Sequence, residues 1–150
     1  AKAAPRKIRI NITRPSKGLE VLCDCTLMRQ AIRKLVDNAV KFSPDGGTIE
    51  IWAHRKPDRS LVISVRDNGP GISQARLQEC TQPFVQEDMS YGRTAEGLGL
   101  GLPIAKSVAE AHGGGLIIQN ATGRGTGGRG LVAGIWIADL TDRGRLAASN

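Results

Sequence analysis

The run Glu96-Gly97-Leu98-Gly99-Leu100-Gly101-Leu102-Pro103-Ile104-Ala105-Lys106 constrains the chain more than any other stretch, because alternating glycines empty straight into a helix-forming segment. Gly97, Gly99 and Gly101 bring no side chain to hold a ligand off the backbone. The helix that follows offers unpaired N–H groups and the positive end of its dipole. Pro103 suits the first helical turn, where its missing donor costs nothing. Ile104, Val108 and Ala111 recur at helical spacing and Gly113 follows His112 as a stop, so the expected helix runs from about Leu102 to His112. Such a loop can hold phosphate. The same alternation also suits close packing or a flexible loop, and the run alone leaves both readings open.

Two other phosphate motifs are excluded. The dinucleotide fingerprint needs a glycine three places after its second one, but Leu102 follows Gly99 at that distance and Ile104 follows Gly101. A P-loop needs Gly-Lys-Ser/Thr at the helix start, whereas Lys106-Ser107 is preceded by Ala105 and lies a turn inside the helix.

At 150 residues the chain is expected to be one domain, long enough to bury a core that must be aliphatic, since only 3% of it is aromatic. A formal charge of +7 favours polyanionic partners: a nucleoside triphosphate, nucleic acid or an acidic protein face. The cations are scattered, and there is neither an aromatic stacking platform nor a recognition-helix or zinc pattern, so direct nucleic-acid binding is not expected. Cys23, Cys25 and Cys80 are an odd number without a second zinc-ligand pair, as in reduced cytosolic proteins. No apolar stretch approaches the roughly 20 residues of a membrane span, and no signal-peptide core lies near the start. Asn11-Ile12-Thr13 and Asn120-Ala121-Thr122 match the glycosylation sequon, which without a secretory signal reads as chance. A chain beginning at Ala1 suggests processing or excision from something longer.

Lys7–Ile12 alternates with period two and reads as a strand. A helix is expected from a cap at Asp24 or Thr26 to about Phe42, ended by Ser43-Pro44-Asp45-Gly46-Gly47. Thr48–His54 and Leu61–Arg66 form an expected antiparallel hairpin, a short helix lies near Gln74–Cys80, and a polar, lid-like stretch covers Glu87–Glu96. Further strands are expected at Leu116–Gln119 and Leu131–Leu140, around a glycine-rich link at Gly123–Gly130. No βαβ unit repeats. The expected class is therefore α+β, with helices on one face of a mixed or mostly antiparallel sheet.

Winding Leu27–Phe42 at about 100° per residue gathers Leu27, Met28, Ala31, Ile32, Leu35, Val36, Ala39 and Phe42 on one face. Gln30, Lys34, Asn38 and Lys41 form a polar row, yet Asn38 falls at the edge of the apolar face. An amide unpaired there would cost roughly 1–3 kcal/mol, so it needs a neighbouring loop, a metal or a ligand as partner. Asp67-Asn68-Gly69-Pro70-Gly71-Ile72 follows an apolar strand. A carboxylate at a strand end can accept from an exocyclic amine while Gly69 and Gly71 let a flat ring approach, although Asn-Gly-Pro-Gly is also a plain tight turn.

Asn38-Ala39-Val40-Lys41-Phe42, Asp67–Gly71, Pro83-Phe84-Val85-Gln86 and Gly97–Leu102 occur in the order and spacing of one family. The chain resembles the catalytic ATP-binding domain of a bacterial sensor histidine kinase, within the superfamily of gyrase, heat-shock chaperone, histidine kinase and MutL ATPases. These segments are similar to its N, G1, F and G2 boxes, and the likeness covers about Ile8 to Leu140. Phe84-x-Gln86-x-Asp88 with Glu96–Pro103 also resembles the PleC type of cell-cycle kinase.

The resemblance implies the Bergerat fold, a two-layer α/β sandwich in which a mixed sheet faces about three helices and ATP lies under a lid. It implies that Asn38 holds Mg²⁺, that Lys41 meets the phosphates and that Phe42 packs near the adenine. It implies that Asp67 bonds the adenine amino group while Gly69, Gly71 and Ile72 shape the base pocket. Arg93 becomes a γ-phosphate contact, Phe84 pins the lid, and Gly97, Leu98, Gly99, Leu100, Gly101 and Leu102 wrap the triphosphate. Thr126 stands where the family often has Gly-Thr or Gly-Ser near the adenine. The implied partners are the dimerisation and histidine phosphotransfer domain of a parent kinase, and a downstream response regulator. The isolated domain is expected to be monomeric and cytoplasmic, without direct membrane contact.

Two departures stand out. One turn before Asn38, where histidine kinases often carry a second Asn and hydrolysing relatives a Glu, this chain has Lys34. A protonated lysine is neither a metal ligand nor an efficient base. At about 4 Å and an effective dielectric of about 20 it would oppose each unit of metal charge by on the order of 4 kcal/mol before relaxation. The second departure is the lengthened Gly123–Gly130 segment, for which there is no functional account. His54, expected on a strand, and His112, expected at a helix end beside the dipole, do not resemble a phosphoacceptor. The expected function is ATP-dependent phosphoryl transfer to a histidine on a separate domain absent from this chain, with little autokinase activity from this segment alone. A degenerate protein-interaction module and a serine-directed anti-sigma-type kinase remain alternatives.

Overall fold

The computed structural model describes residues 6–81, 102–122 and 129–140. In chain order these form β1 (Arg9–Thr13), α1 (Cys25–Phe42), β2 (Thr48–Arg55), β3 (Leu61–Arg66), α2 (Gln74–Thr81), α3 (Leu102–Ala111), β4 (Gly115–Asn120) and β5 (Leu131–Ile137). The strands make one sheet in the order β1-β2-β3-β5-β4. β1 runs parallel to β2 and the other three pairings are antiparallel, so the sheet is mixed, as expected.

β3 and β5 lie in the middle and read as nearly continuous apolar runs, because both of their faces are covered. Leu61, Val65, Ala133, Ile135 and Ile137 meet Met28, Ala31, Leu35 and Ala39 of α1 and Ala105, Val108 and Ala109 of α3 in the core. On the opposite face Trp136 pairs across the sheet with Val62, and Trp52 with Ser64.

α1 begins where Asp24 Oδ1 accepts from the Leu27 N–H at 3.0 Å, one of the two expected caps. It ends at Phe42, and the Ser43 N–H closes on the Ala39 carbonyl. Its apolar stripe is as expected except for Leu27, which is 36% exposed.

α3 turns a different face inward from the one expected. Leu102, Ala105, Val108 and Ala109 are buried, whereas Ile104 is 42% exposed and Ala111 is also outward. Ala105 and Ala109 are fully buried and α3 packs against α1, so the seam runs along its small residues, which let the two backbones approach, and the larger Ile104 is left outside.

His112 is more than a helix-end residue facing the dipole. Its Nε2 accepts the Asp24 N–H at 3.0 Å while Nδ1 lies 2.7 Å from the Val108 carbonyl. Only the Nδ1–H tautomer satisfies both, so a neutral imidazole ties the end of α3 to the cap of α1. β1 starts two residues later than expected, and β5 ends at Ile137 rather than Leu140. Cys23, Cys25 and Cys80 are free thiols. Among the described residues no helix is long and apolar enough to cross a membrane.

Candidate functional site

The C-terminal half of α1 supplies the first wall. Asn38 is 3% exposed, and among the described residues neither of its amide atoms, Oδ1 nor Nδ2, has a hydrogen-bond partner. A buried amide of this kind calls for a partner from outside the described residues. Phe42 lies one turn on, and Lys34 one turn back, half-buried on the same side of the helix. Lys41 is exposed, with Nζ 5.5 Å from the centre of the Phe42 ring.

Arg6 fixes this end of the helix. Its guanidinium donates to the Val40 carbonyl at 3.0 Å and to the Ser43 carbonyl, and pairs with Asp45 at 2.9 Å. Val40 is among the last four residues of α1, whose carbonyls have no intrahelical partner, and a cation complements the dipole there.

The second wall is the turn after β3. Asp67 is 2% exposed, and its Oδ1 accepts the Gly69 N–H at 2.8 Å and the Leu131 N–H at 3.2 Å. Burial pushes its carboxyl above the usual carboxylate range, and these N–H groups and the Arg66 charge pull it back only in part. Both bonds use Oδ1, so Oδ2 has no donor among the described residues.

The turn is held by close backbone approaches. A Cβ on Gly69 would stand 2.4 Å from the Phe42 carbonyl oxygen, so this glycine joins the two walls. At Gly130, with φ +141°, a Cβ would meet the Asp67 carbonyl oxygen at 2.1 Å. Gly71 lies at φ +72° against the Asn120 side chain. Asn120 clamps the next residue from β4, its Oδ1 accepting the Ile72 N–H at 2.9 Å and its Nδ2 donating to the Ile72 carbonyl at 2.8 Å.

Between the walls lies a cavity of about 190 Å³, lined in part by Phe42, Asp67, Gly71, Ile72 and Leu102. These are five of the expected site residues, contributed by α1, the turn after β3 and the start of α3. Gly69 stands behind them, and Asn38 and Lys41 flank Phe42 on α1. Arg76, Cys80 and Leu131 also line the cavity without having been expected, and burial raises the Cys80 thiol above its ordinary value. Phe84, Arg93, Gly97, Leu98, Gly99, Leu100, Gly101 and Thr126 lie outside the described residues. No cluster of three His, Cys, Asp or Glu side chains that could hold a metal ion occurs among the described residues.

Residues 23–132 match the family model described as histidine kinase-, DNA gyrase B-, and HSP90-like ATPase. The chain is 39% identical over 109 residues to the sensor protein BasS of Salmonella typhimurium, spanning 73% of this chain and 29% of that protein. It is 39% identical over 112 residues to the histidine protein kinase DivJ of Caulobacter vibrioides, spanning 75% of this chain and 18% of the relative. The chain thus covers less than a third of the length of either. Among solved structures, the nucleotide-free catalytic domain of histidine kinase ThkA superposes with a TM-score of 0.68 at 26% identity, covering 89% of this chain and 80% of that one. Full-length ShkA in complex with AMPPNP gives 0.65 at 26% identity, covering 88% of this chain and 26% of the other.

Proposed function

Because the chain belongs to the histidine kinase-, DNA gyrase B- and HSP90-like ATPase family, we propose that it is the catalytic domain of a sensor kinase that binds ATP and passes the γ-phosphoryl group to a histidine on a separate domain. The observation that carries this reading is Asp67, a buried carboxylate with Oδ1 committed to the backbone, lining a largely apolar cavity. Oδ2 suits an exocyclic amine, and Phe42, Ile72 and Leu102 suit the faces of a purine. Guanine would turn a carbonyl oxygen towards that carboxylate, so the site should prefer ATP over GTP by at least about 100-fold.

On α1, Asn38 fits a triphosphate end, since both of its buried amide atoms lack a partner among the described residues. Its Oδ1 is the hard oxygen that Mg²⁺ prefers. Mg²⁺, when bound there, neutralises charge on the phosphate oxygens. Lys34 on the same side of the helix opposes a strongly held cation and supplies positive charge of its own. Lys41 meets the phosphates. On the family pattern Arg93 contacts the γ-phosphate, Gly97–Leu102 wrap the triphosphate and Thr126 stands near the adenine. The chain positions and neutralises, and the acceptor imidazole nitrogen attacks the γ-phosphorus as the bond to ADP breaks, so no Ser or Cys nucleophile is required. In this reading the parent kinase supplies the acceptor domain, acts on a response regulator and keeps this domain in the cytoplasm. One structural neighbour, ThkA, is solved in complex with the response regulator TrrA.

Lys34 favours one second reading, a nucleotide-poor module that binds protein. The assembled Asp67 turn and the orphaned Asn38 amide weigh against it. Pro83-Phe84-Val85-Gln86 weighs against a serine-directed kinase. The test is competition of ATP and GTP for the domain, followed by transfer from γ-labelled ATP to an added histidine-bearing helical hairpin. ATP-selective binding with an acid-labile phosphoryl product is expected. Equal affinity for both nucleotides, or hydrolysis without transfer, would contradict the reading.

A further inference from the structure

We propose that the outer edge of β1 is a docking site for an acidic, extended segment of a partner protein, which adds to the sheet as a further strand. β1 closes one side of the sheet, and among the described residues it pairs only with β2. The Arg9 N–H donates to the Gly47 carbonyl at 2.9 Å, in the parallel register Arg9↔Thr48. In a parallel ladder alternate residues bond to the same neighbour, so Arg9, Asn11 and Thr13 face β2. The N–H and C=O groups of Ile10 and Ile12 therefore point outward, a template for another strand.

The side chains specify what that strand must be. Ile10 is 49% exposed and Ile12 67%, and both project to the face that carries Ile49 and Ile51 on β2. Ile10 and Ile12 continue this apolar face to the edge, where both stay exposed. The alternate face carries Arg9, with Lys7 before it, while Arg14 and Lys17 follow the strand; all four are exposed. None of these four cations has an ion-pair partner among the described residues. β1 itself contains no acidic residue.

Charge decides the occupant. Edge cations guard a strand against pairing with a copy of itself, because the two rows would face each other. They attract a strand of opposite sign. The complement is a segment alternating acidic and apolar residues, its apolar side chains meeting Ile10 and Ile12 and its carboxylates meeting Lys7 and Arg9. Backbone bonds would give affinity and this alternation specificity.

The probe is a labelled nine-residue peptide alternating Glu and Val, titrated by fluorescence anisotropy, with a Lys-Val peptide as control. The Glu peptide should bind saturably, more weakly as salt rises, and should slow amide exchange at Ile10 and Ile12; the Lys peptide should not bind. Ile12→Pro removes an outward donor while leaving the bonds to β2, and should weaken binding at least about tenfold. Arg9→Glu should do the same and serves as the second variant if the proline variant does not fold. Absence of binding, equal binding of the Lys peptide, unchanged affinity in folded variants, or exchange protection elsewhere than β1 would each overturn the proposal.

Discussion

The side-chain amide of Asn120 closes on both backbone polar groups of Ile72, accepting its N–H at 2.9 Å and donating to its carbonyl at 2.8 Å. An amide carries both a donor and an acceptor and so serves a peptide unit in both directions, which ties β4 to the wall of the cavity. Asn120→Asp keeps the acceptor and loses the donor; Asn120→Ala loses both. The alanine variant should lose about 1 kcal/mol of stability, since the pair is partly exposed. It should bind nucleotide several-fold more weakly, with the aspartate variant between it and wild type. Urea unfolding and nucleotide titration of the three proteins check this order.

Asn38 should behave in the opposite way. It is buried and, among the described residues, unpaired, so Asn38→Ala removes a desolvation cost while opening a small cavity, and these effects oppose one another. Ligand-free stability should change by less than about 1 kcal/mol, while nucleotide affinity falls at least about tenfold. Thermal melts with and without nucleotide separate the two effects. A large loss of ligand-free stability would mark Asn38 as a structural residue.

Asp67 gives the domain a pH signature. Burial raises its carboxyl in the folded state, so the folded domain holds that proton more tightly than the unfolded chain does. Its stabilising share is then fully present below the unfolded value and is lost as pH rises through the folded one. Measured against Asp67→Asn, wild type should lose relative stability as pH rises above the ordinary carboxylate range, until the raised folded-state group is ionised. Nucleotide affinity should rise over the same window, because an N–H donor prefers the ionised acceptor. At pH 7 Asp67→Asn should bind about 10–100-fold more weakly, as expected for a charged hydrogen bond. Parallel stability profiles for the two proteins would refute the assignment.

The elements with strong periodicity were legible in the sequence. α1, β3 and the Asp67 turn stand where alternation, capping and the glycine pattern put them. What escaped depends on contacts between distant segments. Asn120 sits in Asn120-Ala121-Thr122, a sequence with no local signal, and acquires its role only because β4 lies beside the turn after β3. Arg6 reaches α1 across more than thirty residues, and His112 reaches Asp24 across 88. Gly130 matters only because Asp67 is its neighbour in space. Ile104 and Leu27 were misread because helical periodicity gives an apolar face but not which part of it a neighbouring element covers. Arg76 and Cys80 line the cavity by the path of α2, which its weakly amphipathic sequence did not reveal.

Lys34 lies half-buried on α1, one turn before Asn38. Lys34→Asn removes a repelling charge and adds a hard oxygen one turn from Asn38, and should tighten Mg²⁺-dependent nucleotide binding by about tenfold or more. Nucleotide affinity unchanged across a magnesium titration would show that Lys34 does not act on the cation.

The most direct test of the central claim is calorimetric titration of the domain with a non-hydrolysable ATP analogue, with and without Mg²⁺. Saturable binding at one site, tighter with Mg²⁺ and weakened by Asp67→Asn, is expected. Absence of binding in both conditions by a folded domain would contradict it and leave the protein-binding module as the better description.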